Sequence, residues 1–124
     1  MRNFGHRITQ VRCTATEMPA LYQRHHVLLH PSAREACGFA LVEAMQQGLP
    51  VACSDIPAFA AMVGADRCAP LGDAQGLAER ALQLIHDPDA RREVRARFVS
   101  ALSYDAIAVR KAAVYRKQPL PARY

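Results

Sequence analysis

The chain has 124 residues and a formal net charge of +5 at neutral pH; 51% of its residues are hydrophobic and 22% charged. That length fits one small domain and excludes a self-contained two-domain enzyme, while the hydrophobic share excludes an unfolded chain. No apolar run approaches the ~18 residues that span a bilayer, and the opening MRNFGHRITQVRC lacks the apolar centre of a secretory signal, so the expected location is cytoplasmic.

Residues 8–13 alternate enough to predict a short strand. Thr16-Glu17-Met18-Pro19 opens a turn of helix with Pro just inside its start, and Met18, Leu21 and Tyr22 give it an apolar side. The run at 26–30, closed by Pro31-Ser32, predicts a buried parallel strand. Residues 34–38 read as a loop. Residues 38–47 read as a helix that ends with Gly48 in the C′ position and cannot continue through Pro50. A second buried strand is expected at 51–53, a short helix or turn at 58–63, and a third strand at 67–70.

The C-terminal third is helical. Residues 73–86 carry Leu77, Ala81, Leu84 and Ile85 on one face, and Pro88 starts a helix with Val94, Phe98 and Leu102 on its stripe. Ser103 can cap a last helix along which Tyr104, Ala108, Ala112 and Tyr115 are spaced. Gln118 begins a frayed end. Strands alternating with helices predict an α/β fold with a parallel sheet.

Charge is unevenly placed. Residues 1–89 hold seven Arg or Lys against nine Asp or Glu, a balance of −2, whereas residues 90–124 hold nine against two, a balance of +7. A basic end suits nucleic acid or an acidic membrane surface, and equally a solvated helix face. No nucleic-acid partner is expected, because Phe98, Tyr104 and Tyr115 fall on apolar faces instead of among the charges. Cys13, Cys37, Cys53 and Cys68 form no C-x2-C pair and read as reduced, half-buried small side chains, not zinc ligands. His25, His26 and His30 cluster, but His26 and His30 bracket an apolar strand, so no metal is expected there.

The stretch that carries chemistry is PSAREACGFALVEAMQQGLPVACS, residues 31–54. It reads strand, loop, helix, strand, which sets a helix N-terminus at the carboxyl end of a parallel strand, where open α/β sheets bind ligands. The free N–H groups near Gly38, Phe39 and Ala40 can hold a phosphate, helped by the helix dipole. Gly38 removes side-chain bulk where the backbone meets that anion. Glu35 precedes the helix, and Glu43 sits among Leu41, Val42, Ala44 and Met45, where a carboxylate needs a partner. Vicinal ribose hydroxyls would supply two donors. Taken alone, Glu43 also fits an exposed face shared with Gln46 and Gln47, and Glu35 a solvated loop.

Set in E-x-x-G-F-x-x-x-E-A-M-x-x-G-x-P-V, Glu35 and Glu43 resemble the donor-binding signature of retaining glycosyltransferases of the GT-B fold, the mannosyl- and glucosyltransferase-like group 1 family. The flanking MPALYQRHHVLLHPS and SDIPAF, and the end helices with Ser103-Tyr104-Asp105 and Tyr115, extend the likeness over about residues 8–117. The resemblance implies that Glu35 is the catalytic-site carboxylate beside the transferred sugar. It gives the N–H groups of Gly38, Phe39 and Ala40 to the diphosphate, and the ribose hydroxyls to Glu43. The implied donor is a UDP-, GDP- or ADP-sugar and the partner substrate an unknown glycosyl acceptor, with retention of configuration and no cofactor or metal. Ala36-Cys37 departs from the pattern, since many relatives carry an aromatic residue before the Gly.

By the same resemblance, two further strands, a glycine-rich turn with an Arg and a Lys, and an N-terminal acceptor domain are unmatched in this sequence. The expectation is thus a single incomplete domain with a partial Rossmann-like sheet, comprising a donor-site unit over 8–70 and helices over 71–118, inactive alone. Residues 8–13 should pair directly with 26–30 or stay loosely attached. The basic helices would pack on the missing acceptor domain or on an acidic membrane surface, peripheral to the inner face. The alternatives are a non-catalytic nucleotide-binding or partner module that complements a separate N-terminal half, and a basic surface-binding module whose Glu pair is idle.

Overall fold

Helices and strands alternate along the computed structural model, which describes residues 7–116. The order is α1 (Met18–Arg24), β1 (Leu28–His30), α2 (Phe39–Gln46), β2 (Val51–Ser54), α3 (Pro57–Val63), β3 (Cys68–Ala69), α4 (Ala74–His86), α5 (Ala90–Ala101) and α6 (Tyr104–Tyr115). The expected frayed end from Gln118 lies outside the described residues.

Local chemistry explains the boundaries. Pro19 and Pro57 sit in the first turns of α1 and α3, where a missing N–H is harmless. α2 ends in a Schellman motif: Gly48, at φ +70°, donates to the Met45 carbonyl at 3.0 Å, and Leu49 donates to that of Ala44 at 2.9 Å. The Asp73 carboxylate accepts from the Gly76 N–H at 2.8 Å to cap α4, and the Ser103 hydroxyl accepts from the Ala106 N–H at 3.2 Å to cap α6.

The three strands form a parallel sheet in the order β1-β2-β3, with Leu28 opposite Val51, His30 opposite Cys53, and Cys53 opposite Cys68. Alternation sends Val51 and Cys53 into a core with Leu41, Ala44 and Met45 of α2, Phe59 and Val63 of α3, and Val94 of α5. Ser54 and Ala69 turn the other way, toward Leu77 and Ala78 of α4. This is an α/β fold with an open parallel sheet flanked by helices, consistent with a partial Rossmann-like domain. All four cysteines are free; Cys53 and Cys68 are buried with their sulfurs 3.7 Å apart, and burial pushes both thiols up, which keeps them protonated.

Three expectations need correction. Residues 8–13 form no strand: they join no ladder, and Ile8 and Val11 are exposed. Of the two outcomes expected for this segment, direct pairing with residues 26–30 is not seen. β1 is shorter than residues 26–30 and is not buried. It pairs on one side only among the described residues, which leaves Leu29 49% exposed. The basic stretch is solvated, with Arg91 and Arg95 exposed, but it is not free of the fold. Arg91 donates to the carbonyls of His25 and Gly48, and Arg95 to that of Gln46, so α5 places cations at the C-terminal end of α2, where the helix dipole favours them. α6 packs on α5 but buries no residue, and Tyr104 and Tyr115 are 94% and 86% exposed. No helix among the described residues is long and apolar enough to cross a membrane.

Candidate functional site

The loop after β1 delivers the chain into α2 through Gly38, which stands in the left-handed region at φ +61°, ψ +42°. A β-carbon there would meet Phe59 Cε1 at 3.1 Å, so a side chain at this position is strained by torsion and needs Phe59 to give way by a few tenths of an ångström. Like α1, α3 and α5, and unlike α4 and α6, α2 has no side-chain cap; what sets it apart is the left-handed Gly38 at its start. The Leu41 and Val42 N–H groups both bond the Gly38 carbonyl, at 2.9 and 3.2 Å. The N–H groups of Phe39 and Ala40 precede them and have no partner within the helix. Phe39 itself is 72% exposed at this end.

Glu35 approaches from the loop. Its Oε1 accepts from the Ala36 N–H at 3.2 Å, and its Oε2 lies 3.7 Å from His30 Nε2 at the end of β1. The His30 ring leans on Phe59 with centroids 5.1 Å apart, and Phe59 is fully buried. One aromatic ring of α3 thus backs both the histidine beside Glu35 and the glycine that opens α2.

Glu43 lies one turn beyond Phe39, on the same face of α2. Its Oε2 accepts from the Tyr22 hydroxyl at 3.0 Å. Burial, the hydrogen bond to Glu43 and its charge together push the Tyr22 phenol up to about 12. Met18, Pro19, Tyr22, Glu43, Gln46 and Gln47 line a cleft of about 220 Å³ between α1 and α2. Glu43 therefore has a hydrogen-bond partner and still faces a cavity.

The sequence-predicted residues are arranged along one helix: Glu35 before its N-terminus, Gly38, Phe39 and Ala40 at it, and Glu43 one turn later. A roomier cavity of about 310 Å³ opens elsewhere, at the α4 side of the strand ends, between Leu29, Pro31, Ser54, Pro70 and Leu77. It shares no lining with Glu35, Gly38 or Glu43 and is mostly apolar. The uncapped helix end with its flanking carboxylates is the better match to a polar, charged ligand. Among the described residues no group of three or more His, Cys, Asp or Glu is placed to hold a metal ion, and His25 instead donates from Nδ1 to the Leu21 carbonyl at 2.6 Å. Sequence reasoning missed three residues here: Tyr22, His30 and Phe59. Only Tyr22 carried a signal, a phenol in the helix preceding a carboxylate that needed a donor.

The open parallel sheet, with α2 entered from the loop after β1, is consistent with a partial Rossmann-like domain, and comparison with known proteins gives its family. The family described as glycosyl transferases group 1 matches residues 7–100, and the chain belongs to it. The O-antigen chain mannosyltransferase B of Escherichia coli is 33% identical over 79 residues, a match that covers 63% of this chain and 20% of that protein. The chain thus matches about a fifth of the length of that curated relative. No solved structure gives a significant match.

Proposed function

We propose that the chain supplies the donor-binding half of a retaining, sugar-nucleotide-dependent glycosyltransferase. The observation that carries this reading is the uncapped N-terminus of α2, opened by a left-handed Gly38 and flanked by Glu35 and Glu43. The diphosphate of a UDP-, GDP- or ADP-sugar sits on the N–H groups of Gly38, Phe39 and Ala40, at the positive end of the helix dipole. Glu43 takes the ribose hydroxyls from its place beside the 220 Å³ cleft. Glu35 takes the hydroxyls of the transferred sugar.

In this reading the bond between the anomeric carbon and the diphosphate oxygen breaks during transfer, and negative charge develops on the departing diphosphate. The fixed N–H dipoles meet that charge without reorganising, which is the protein's main electrostatic contribution. The acceptor hydroxyl adds to the same face of the anomeric carbon and its proton passes to the leaving oxygen. The helix end offsets part of that charge, and no metal is assigned to the step. Titration calorimetry with UDP-glucose, GDP-mannose and ADP-glucose tests the reading. Saturable binding of at least one supports it, and no heat with any of the three overturns it.

A second reading, a binding module that complements a separate half, rests on the outer side of β1, unpaired among the described residues, and the half-exposed Leu29. It keeps the same ligand but assigns no turnover to this chain. Sugar release from a bound donor, followed by chromatography, separates the two: hydrolysis or transfer by the chain favours the enzyme, and binding without either favours the module.

A further inference from the structure

We propose that His30 is a positioning residue for Glu35, one that tunes recognition of the sugar but not of the nucleotide. The inference rests on the donor-site reading above and deepens it. His30 stands at the last position of β1, and its Nε2 is buried without a hydrogen-bond partner among the described residues. Leaving such a polar atom unmet is costly, and native structures rarely do so without a reason. The Glu35 Oε2 lies 3.7 Å away, too long for a hydrogen bond. The ring cannot easily turn away, because it rests on Phe59, which is wholly buried and which also limits the space at Gly38. The histidine is therefore the fixed member of the pair and the loop carboxylate the adjustable one.

A shift of Glu35 by about 0.8 Å brings its oxygen to hydrogen-bond distance from Nε2. Contacts of this kind are commonly long in a free site and tighten when ligand arrives. Once held, the carboxylate keeps acceptor sites free for two sugar hydroxyls. His30 faces Glu35, the carboxylate assigned to the sugar, so its contribution should appear when a sugar is attached to the diphosphate.

The test compares matched ligands by calorimetry on the full chain: UDP with UDP-glucose, GDP with GDP-mannose, and ADP with ADP-glucose. His30→Phe keeps a ring against Phe59 and removes the donor. It should weaken the nucleotide sugar about tenfold relative to the bare diphosphate. His30→Gln, which restores an N–H near the Nε2 position, should recover most of that loss. In a Glu35→Gln background His30→Phe should add nothing further, since the two act through one contact. Circular dichroism checks the fold, and His30→Met provides a second donor-free variant if the Phe variant does not fold. Equal weakening of both ligands, or no change in either, overturns the positioning role while leaving the donor site standing. A wild-type chain that binds none of the six ligands overturns both.

Discussion

The Tyr22 hydroxyl donates to Glu43 across the α1–α2 junction at 3.0 Å, joining the first helix to the carboxylate assigned to the ribose. The consequence is readable in alkali. Burial is the larger cause of the raised phenol and the Glu43 contacts add to it, lifting it from 10.0 to about 12. A folded-state value above the unfolded one stabilises the fold below pH 10 and loses that contribution as pH rises toward 12. Tyr22→Phe should flatten the stability profile over that window. Glu43→Gln should return the phenol only part of the way toward 10.0, as followed by tyrosinate absorbance, because burial remains.

Gly38→Ala is expected to destabilise the chain by about 1–2 kcal/mol, since an L-residue at φ +61° is strained and the added carbon presses on Phe59 at 3.1 Å. Gly38→Asn, which tolerates the left-handed region better, should lose less from strain. Urea denaturation of the two variants measures the difference. A Gly38→Ala chain as stable as the wild type would show that the turn is not built as described.

Arg67 lies buried in the turn before β3, with its Nη2 donating to Glu93 Oε2 at 2.8 Å and its Nη1 without a partner among the described residues. Removing the acid strands a buried cation, whereas removing the cation leaves Glu93, already half exposed, in water. Glu93→Ala should therefore cost about 2 kcal/mol, discounted for that exposure and for Asp66 at 3.9 Å, and Arg67→Met clearly less. Thermal denaturation of both variants decides the order.

Ser103 caps a helix that buries nothing, so its effect should stay local. Ser103→Ala should cost α6 about 1 kcal/mol, a fall of about fivefold in amide-exchange protection across 104–115. Protection in β2, whose four residues are all buried, should not change.

Signals confined to one turn of chain were legible. Pro19, Gly48, Asp73 and Ser103 mark helix ends by chemistry that acts within four residues, and each does so in the structure. Signals that depend on a distant partner were not. Ile8 and Val11 have the side chains of a strand, but a strand exists only beside another, and none lies against them. The apolar run at β1 looked buried because periodicity reports what is able to be covered, not whether a neighbour covers it; Leu29 stays half exposed. Arg91 and Arg95 looked like solvated charge because their carbonyl partners are 43 to 66 residues away. The same distinction divides the site. Glu35, Gly38 and Glu43 lie within nine residues and read as one pattern, whereas Phe59 joins it through packing and Tyr22 through a hydrogen bond from another helix.

Residue-resolved amide shifts during titration with a nucleotide diphosphate test the central claim most directly. The account predicts saturable shifts centred on Gly38, Phe39 and Ala40, sharply reduced by Glu43→Gln and absent with the unphosphorylated nucleoside at the same concentration. Shifts that centre instead on Asp73, Leu77 and Ala78, around the apolar cavity at α4, would contradict it.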